Sequence, residues 1–431
     1  MNKFAAPSSP SSPPSSSGTV LIVSVDAFPK MGGISTMTHH VANALVATGC
    51  RVLVIAPRGS YVPGGFSRSY ELCEDWESDI AARDGPGAEA EDRRIETLTK
   101  GLIAQEQPAE IILMHGFYYG TGVLRAAQAA GVPAKIVVHG TELTSQLGCT
   151  AGRDRSRADP ASLGARFRDC LRQADGVLAN SRHTAGLVRH LAGVDPVGVI
   201  GVGVPADRLR SEMRGTPERC AQQQAARRRS FGLPDGPVFA YIGRLARHKR
   251  VDRLLRLTAA CPDATCMIGG DGPELSTLIR LGEHLGLGDR LRLLGPLSEQ
   301  HKWRALRAAD FSALMSSADP ETGAYEGFGI GLLEAVTAGA VPLSTGADGM
   351  ADFMSGDPPP GLLLPAILED PAADAARLYA LWRDPERMDR MIARGRGLIA
   401  AQFTWDRVAA RIMSHVPIRD TLPLLPLRHA V

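Results

Sequence analysis

Val20-Leu-Ile-Val-Ser-Val25, then Gly32-Gly33, then Ile34, Met37, Val41 and Leu45 at three- and four-residue spacing, is the stretch on which the fold turns. An unbroken aliphatic block of that length suits a strand covered on both faces, the setting of a parallel sheet. The spacing from Ile34 to Ala47 marks one face of a helix, and Gly49 supplies its stop. Arg51 to Ala56 is a second strand. Strand, helix and strand in this order predict a βαβ unit.

The alternation continues outward through strands at Ile111–Met114, Ile136–Val138 and Val177–Ala179. It lapses at Val204–Pro237, a segment rich in Arg, Gln and Pro, and then starts afresh. Strands are expected at Val238–Ile242, Ala264–Ile268, Leu291–Leu294, Phe311–Met315 and Val341–Ser344, with helices at Arg250–Ala260, Glu274–Leu285, Ser298–Ala308 and Gly329–Ala338. The fold class is therefore α/β, with two doubly wound Rossmann-like domains facing an interdomain cleft. The expected division is a Ser/Pro tail at 1–18, a first domain at 19–203, a linker at 204–237, a second domain at 238–403 and a terminal helix within 404–431. Pro57–Asp92 and Gly148–Pro160, with scattered Gly, Pro and charge, are expected to be long loops, either beside the site or simple insertions.

Composition narrows the function. The 431 residues are 44% hydrophobic and 22% charged, which is ordinary for a globular protein. Lys and Arg total 48 against 46 Asp and Glu, a formal charge of +2, so no global field collects nucleic acid, and membrane association is at most peripheral. The longest apolar runs are strand-sized, well short of the ~18 residues of a membrane span. Seven cysteines without a Cys-x-x-Cys pair point to reduced thiols and a cytoplasmic location.

Two segments carry the chemistry. In Tyr241-Ile-Gly-Arg-Leu-Ala-Arg-His-Lys-Arg250 the cations Arg244 and Lys249 stand just past a strand's carboxyl end, where ligands of such sheets bind. A forked guanidinium and a point-charge ammonium suit a diphosphate. In Tyr325-Glu-Gly-Phe-Gly-Ile-Gly-Leu-Leu-Glu-Ala335, Gly327 and Gly329 open the start of a helix, a natural phosphate site. Glu326 precedes that turn and Glu334 lies within the helix, and either carboxylate can accept both hydrogen bonds of a vicinal diol. His139, in Val137-Val-His-Gly-Thr-Glu142, follows a buried strand.

Gly-Arg-Leu-x-x-x-Lys, Gly270-Asp-Gly-Pro273 and Glu-Gly-Phe-Gly-Ile-x-x-x-Glu-Ala together resemble the retaining GT-B glycosyltransferases of family four, the "glycosyl transferases group 1", from Val20 to about Ala410. The resemblance implies that Arg244 and Lys249 bind the donor diphosphate, that Glu334 holds the ribose and that Glu326 contacts the donor sugar. It places Gly327, Phe328, Gly329 and Ile330 at the donor, brings Gly32 and Gly33 to the donor phosphate or acceptor, and sets His139 near the sugar. It further implies a terminal helix at Phe403-Thr-Trp-Asp406 that packs back across to the first domain.

Gly346-Ala-Asp-Gly-Met-Ala-Asp352 departs in register from the family's Gly-Gly-x-x-Glu, and the family commonly has Pro in place of Gly327. No Asp-x-Asp occurs, so neither metal nor cofactor is expected, only a nucleotide-diphosphate sugar as co-substrate. The implied reaction moves a hexose or N-acetylhexosamine, UDP-sugar favoured and GDP-mannose an alternative, to the hydroxyl of a small-molecule, glycan or lipid-linked acceptor. A sugar-nucleotide epimerase or hydrolase, or a silent nucleotide-sugar-binding subunit, are the competing functions of such a scaffold.

Overall fold

The computed structural model describes residues 18–30, 32–63, 66–77, 87–147, 149–150, 153–154, 163–213, 217–364 and 370–414. The Ser/Pro tail up to residue 17 and the end beyond residue 414 lie outside them. The first sheet comprises β1 (Thr19–Val23), β2 (Arg51–Pro57), β3 (Glu71–Trp76), β4 (Glu110–Leu113), β5 (Ala134–Val138), β8 (Gly176–Ala179) and β9 (Gly198–Val199), in the order β3-β2-β1-β4-β5-β8-β9. A small hairpin, β6 (Cys149–Thr150) with β7 (Arg153–Asp154), lies in the expected loop at Gly148–Pro160, most of which falls outside the described residues. The second sheet, β12-β11-β10-β13-β14-β15, is formed by β10 (Val238–Ile242), β11 (Thr265–Gly269), β12 (Leu291–Gly295), β13 (Phe311–Leu314), β14 (Val341–Ser344) and β15 (Leu362–Leu363). Every pairing within these two sheets is parallel.

Burial explains the aliphatic block. Val20 and Ile22 enter the core beneath the Gly33–Ala47 helix, while Leu21 and Val23 enter the core of the opposite face. A strand covered on both faces cannot alternate apolar with polar, so its sequence reads as continuous.

The Pro57–Asp92 segment is not one long loop. It contains β3, and the Gly87–Glu106 helix starts inside it. β3 pairs only with β2 and leaves Glu71, Glu74 and Asp75 exposed, burying only Trp76. An edge strand protected by charge carries no apolar run, which is why its sequence resembles a loop.

Val204–Pro237 holds two helices, Ala206–Met213 and Pro217–Ser230. Both lean on the second unit: Arg307 Nε donates to Glu212 Oε2 at 3.0 Å and Arg228 Nε to the Ala308 carbonyl at 3.2 Å.

The chain then returns. Val204 bridges to Thr404, with its amide 3.0 Å from the Phe403 carbonyl, and the Trp405–Met413 helix lies against the first unit. Lys135 Nζ donates to the Ile412 carbonyl at 2.7 Å, and Arg411 Nη1 to the Ile200 carbonyl at 2.9 Å. His40 stacks on Trp405, centroids 5.3 Å apart and planes 8° from parallel. Met37, Trp405, Val408, Phe403 and Phe328 thereby share one core that spans both units.

Trp405→Ala removes the largest side chain of this return crossing, and a loss of about 3–5 kcal/mol is expected in urea unfolding. The histidines beneath it set a pH dependence. Burial pushes His39 down to about 4, and burial, aided by the charges of His39 and Lys302, pushes His40 down to about 3. Both stay neutral in the fold while the unfolded chain takes up protons near pH 6.5, so stability is full above that pH and falls as pH drops toward 4. Unfolding free energies at pH 7.5 and 5 should differ by on the order of 4 kcal/mol, about half from each histidine, and His40→Gln should remove its share of the difference.

Candidate active site

In the second sheet the chain leaves β10 toward β11 on one side and β13 toward β14 on the other, so the crevice between β10 and β13 is the switch point where ligands bind. Beyond β10, Arg244 extends its side chain into solvent, and the short Arg247–Lys249 turn presents Lys249. Beyond β13 the chain reaches Glu326, buried to 9% exposure. Lys249 Nζ lies 2.5 Å from Glu326 Oε2, and the Ser316 hydroxyl donates to the same oxygen at 3.3 Å. The neighbouring His248 is pushed down to about 4 by burial, with the Lys249 charge adding to it, and stays neutral at physiological pH. A cation and a carboxylate from the two lips of the crevice thus hold each other.

The Ile330–Ala338 helix starts at Gly329, whose φ of +96° is accessible without strain only to glycine, and no side chain caps its first turn. Phe328 turns its ring inward to meet Phe403, centroids 5.3 Å apart, so only its backbone remains on the site side. Ile330 packs half-buried against the same core.

Glu334 takes a different partner from Glu326. Lys302, on the Glu299–Ala308 helix, lies 2.6 Å from Glu334 and 2.8 Å from Glu299. Burial works to lower the Lys302 ammonium, but its two carboxylate partners prevail and raise it. Burial raises the Glu334 carboxyl and the Glu299 charge adds to it, with Lys302 acting in the opposite direction without prevailing.

The two units close on one another around Gly327. A Cβ there would stand 2.2 Å from the His139 carbonyl oxygen and 2.7 Å from Asn180 Nδ2, and Asn180 donates to that carbonyl at 2.9 Å. Tyr325 packs over Gly140, and its hydroxyl lies 3.2 Å from that of Thr184. The Thr144 hydroxyl donates to the Gly323 carbonyl at 2.6 Å. The acid of the shifted Gly346–Asp352 segment serves the same closure: Asp352 accepts from the Arg182 amide at 2.9 Å, at the start of the Arg182–Ala192 helix, where the helix dipole favours a carboxylate. Asp348, near His183 at 3.9 Å, sits beside it.

On the first sheet, Gly32 and Gly33 form the exposed start of the Gly33–Ala47 helix, and His139 lies past β5. The His139 ring Nε2 is 2.5 Å from the Met114 carbonyl, which requires a proton on that nitrogen, and burial lowers the pKa of the ring. The structure therefore brings His139, Glu326, Gly327 and Lys249 together, and sets Glu334 apart with Lys302. Lys302, Ser316, Tyr325, Asn180, Asp26 and His115 were not singled out from the sequence. His115 follows β4 as His139 follows β5, so the position after a buried strand was a usable signal. Lys302 carried none that pointed to Glu334, which lies 32 residues away.

The Glycosyltransferase Family 4 model matches residues 31–208, and the Glycosyl transferases group 1 model residues 223–398. The chain belongs to the group 1 glycosyltransferases. It is 30% identical over 319 residues to the D-inositol 3-phosphate glycosyltransferase of Salinispora tropica, covering 70% of this chain and 62% of the relative. The Mycolicibacterium gilvum protein of the same name is 28% identical over 263 residues, 58% of this chain and 55% of the relative, so the chain spans less than two-thirds of the length of either. Among solved structures, Anabaena Alr3699/HepE, in complex with UDP and glucose, superimposes with a TM-score of 0.66 at 17% identity, over 92% of this chain and 98% of that one. Sucrose-phosphate synthase from Thermosynechococcus elongatus does so at 0.70 and 19%, over 92% and 97%. These likenesses make the fold GT-B.

For this group 1 glycosyltransferase, Gly327→Ala should force the units apart, because the atoms that a methyl group would meet include a backbone carbonyl. Small-angle scattering should show a larger radius of gyration than the wild type, with unchanged secondary structure by circular dichroism.

Proposed function

We propose that this chain is a retaining glycosyltransferase that moves a hexose or N-acetylhexosamine from a UDP-sugar to an acceptor hydroxyl presented by the first unit. The observation that carries the proposal is the pairing of Lys249 with Glu326 at the β10–β13 switch point, beside the exposed Arg244 and facing His139 across the closed units. Arg244 and Lys249 take the diphosphate, with the open amides of the Ile330–Ala338 helix start below. Lys249 exchanges the Glu326 carboxylate for phosphate oxygen, which frees Glu326 to accept from the donor sugar's hydroxyls. Glu334, steadied by Lys302, accepts from the ribose hydroxyls.

In this reading the acceptor oxygen bonds to the anomeric carbon on the face from which the diphosphate departs, the carbon–phosphate oxygen bond breaks, and a phosphate oxygen takes the acceptor proton. Charge gathers on the leaving diphosphate, where Arg244, Lys249 and the helix amides are already oriented to meet it. His139, neutral with its Nε2 proton committed to Met114, offers Nδ1 to a sugar hydroxyl. The cationic side chains meet the diphosphate charge without a metal. The preference for UDP is supported by the solved complexes of Alr3699/HepE with UDP and UDP-glucose. The curated relatives' name, D-inositol 3-phosphate glycosyltransferase, supports a phosphorylated polyol as an acceptor to try first.

Transfer from UDP-glucose, followed as UDP release dependent on acceptor, tests the proposal. Lys249→Ala or Arg244→Ala should lower kcat/KM by about 2–4 kcal/mol of transition-state stabilisation while the fold persists. Glu334→Gln should mainly raise the donor KM, and Glu326→Gln should mainly lower kcat. Wild-type rates in both cation variants would put the site elsewhere.

A further inference from the structure

The first sheet has a switch point of its own. β1 leads to β2 on one side and β4 leads to β5 on the other, so the crevice outside their carboxyl ends lies between β1 and β4. Asp26 stands just past β1 and His115 just past β4. His115 Nε2 lies 3.5 Å from Asp26 Oδ2, a charged and polar pair bridging the two lips as Lys249 and Glu326 bridge those of the second sheet.

The two members differ in access. The His115 ring is buried, flanked by Tyr119 at 5.3 Å and Tyr118 at 6.1 Å, and its Nδ1 has no hydrogen-bond partner among the described residues. The Asp26 side chain keeps 21% of its surface, and Lys30, itself 66% exposed, pairs with its other oxygen. Burial works to raise the Asp26 carboxyl, but the hydrogen bonds and charges of His115 and Lys30 hold it well below the ordinary carboxylate range. The more accessible member of this pair is the acid, so Asp26 can meet a ligand in the crevice while His115 stays packed behind it. Here the carboxylate is the solvent-facing member and the imidazole the anchor. Its surroundings hold Asp26 as an acceptor-only group beside His139, on the unit opposite the donor cations.

We infer that Asp26, oriented by His115, is the group that receives the hydroxyls of the glycosyl acceptor, and that the acceptor is a polyol or sugar presenting a vicinal diol. The inference rests on the glycosyltransferase reading proposed above. An ionised carboxylate takes two hydroxyl donors at once, one per oxygen, which favours neighbouring hydroxyls over the lone hydroxyl of a simple alcohol. Lys30 is displaced when the diol arrives. Asp26 positions the acceptor and takes no part in bond exchange.

The test uses the full chain, UDP-glucose as donor, and D-inositol 3-phosphate, myo-inositol, glucose and cyclohexanol as acceptor probes, with UDP affinity measured by calorimetry. The wild type should transfer to at least one of the three polyols and not to cyclohexanol. Asp26→Asn should raise the KM for that polyol at least tenfold while the Kd for UDP stays within twofold, and Asp26→Glu should recover part of the loss. His115→Gln, which shifts the carboxylate without removing it, should raise the same KM by a smaller factor and serves if Asp26→Asn fails to fold. Unchanged polyol KM in these variants, or equal loss of UDP affinity and transfer, would overturn the assignment. A wild type that binds UDP but glycosylates none of the polyols overturns the polyol inference and leaves the donor reading standing. One that binds no UDP or GDP removes the donor reading itself.

Discussion

Closure depends on the approach of Gly327 to the His139 carbonyl, where the two sheets' ligand-binding edges meet with no room for a side chain. A second glycine makes the first possible: a Cβ on Gly349 would lie 1.8 Å from the Gly327 carbonyl oxygen. Backbone on backbone is the closest packing available to two domains, and it fixes their spacing to within a few tenths of an ångström. Proline, common at this position in the family that the sequence resembles, would not fit this arrangement. The contacts of Tyr325, Thr144 and Asp352 then follow, because each joins the same two edges.

Charge is distributed around that contact in self-contained sets. Lys249 with Glu326, Lys302 with Glu299 and Glu334, and Asp26 with His115 and Lys30 each neutralise much of their own charge. Ionised groups cannot be left buried and unpaired, since an isolated ion in such a setting costs several kcal/mol. Each of these sets carries its own counter-charge, whereas Arg244 is left exposed to solvent. The return of the chain through Thr404 and the Trp405–Met413 helix is a second tie between the units, in addition to the glycine contact.

Much of this was legible from sequence. Both series of strands and helices were, because a strand buried on both faces writes a continuous aliphatic run and its helix writes a three-to-four spacing, as Val20–Val25 and Ile34–Ala47 do. Arg244, Lys249, Glu326 and Gly329 were equally visible, since a position just past a strand or just before a helix is a local property. β3 was not, because an edge strand paired on one side is stabilised by a neighbour rather than by its own composition. The partners of the acids were not either: nothing local distinguishes Lys302 from any other helix lysine, or Asp352 from a surface acid, until the 32 and 170 residues that separate them from Glu334 and Arg182 are folded away.

The amino-acid sequence by itself determined two parallel α/β units, the cations and carboxylates at their edges, and the glycines that open a helix start, because periodicity and chain-neighbour geometry act over a few residues. Only the tertiary structure decided which acid meets which base, that Phe328 belongs to the core, and that Asp26 and His115 share a crevice on the other unit from Arg244 and Lys249. Those outcomes depend on how strands β1 and β4, 87 residues apart from Val23 to Glu110, are ordered within a sheet, and hydrogen bonding between strands is a choice made by the whole chain.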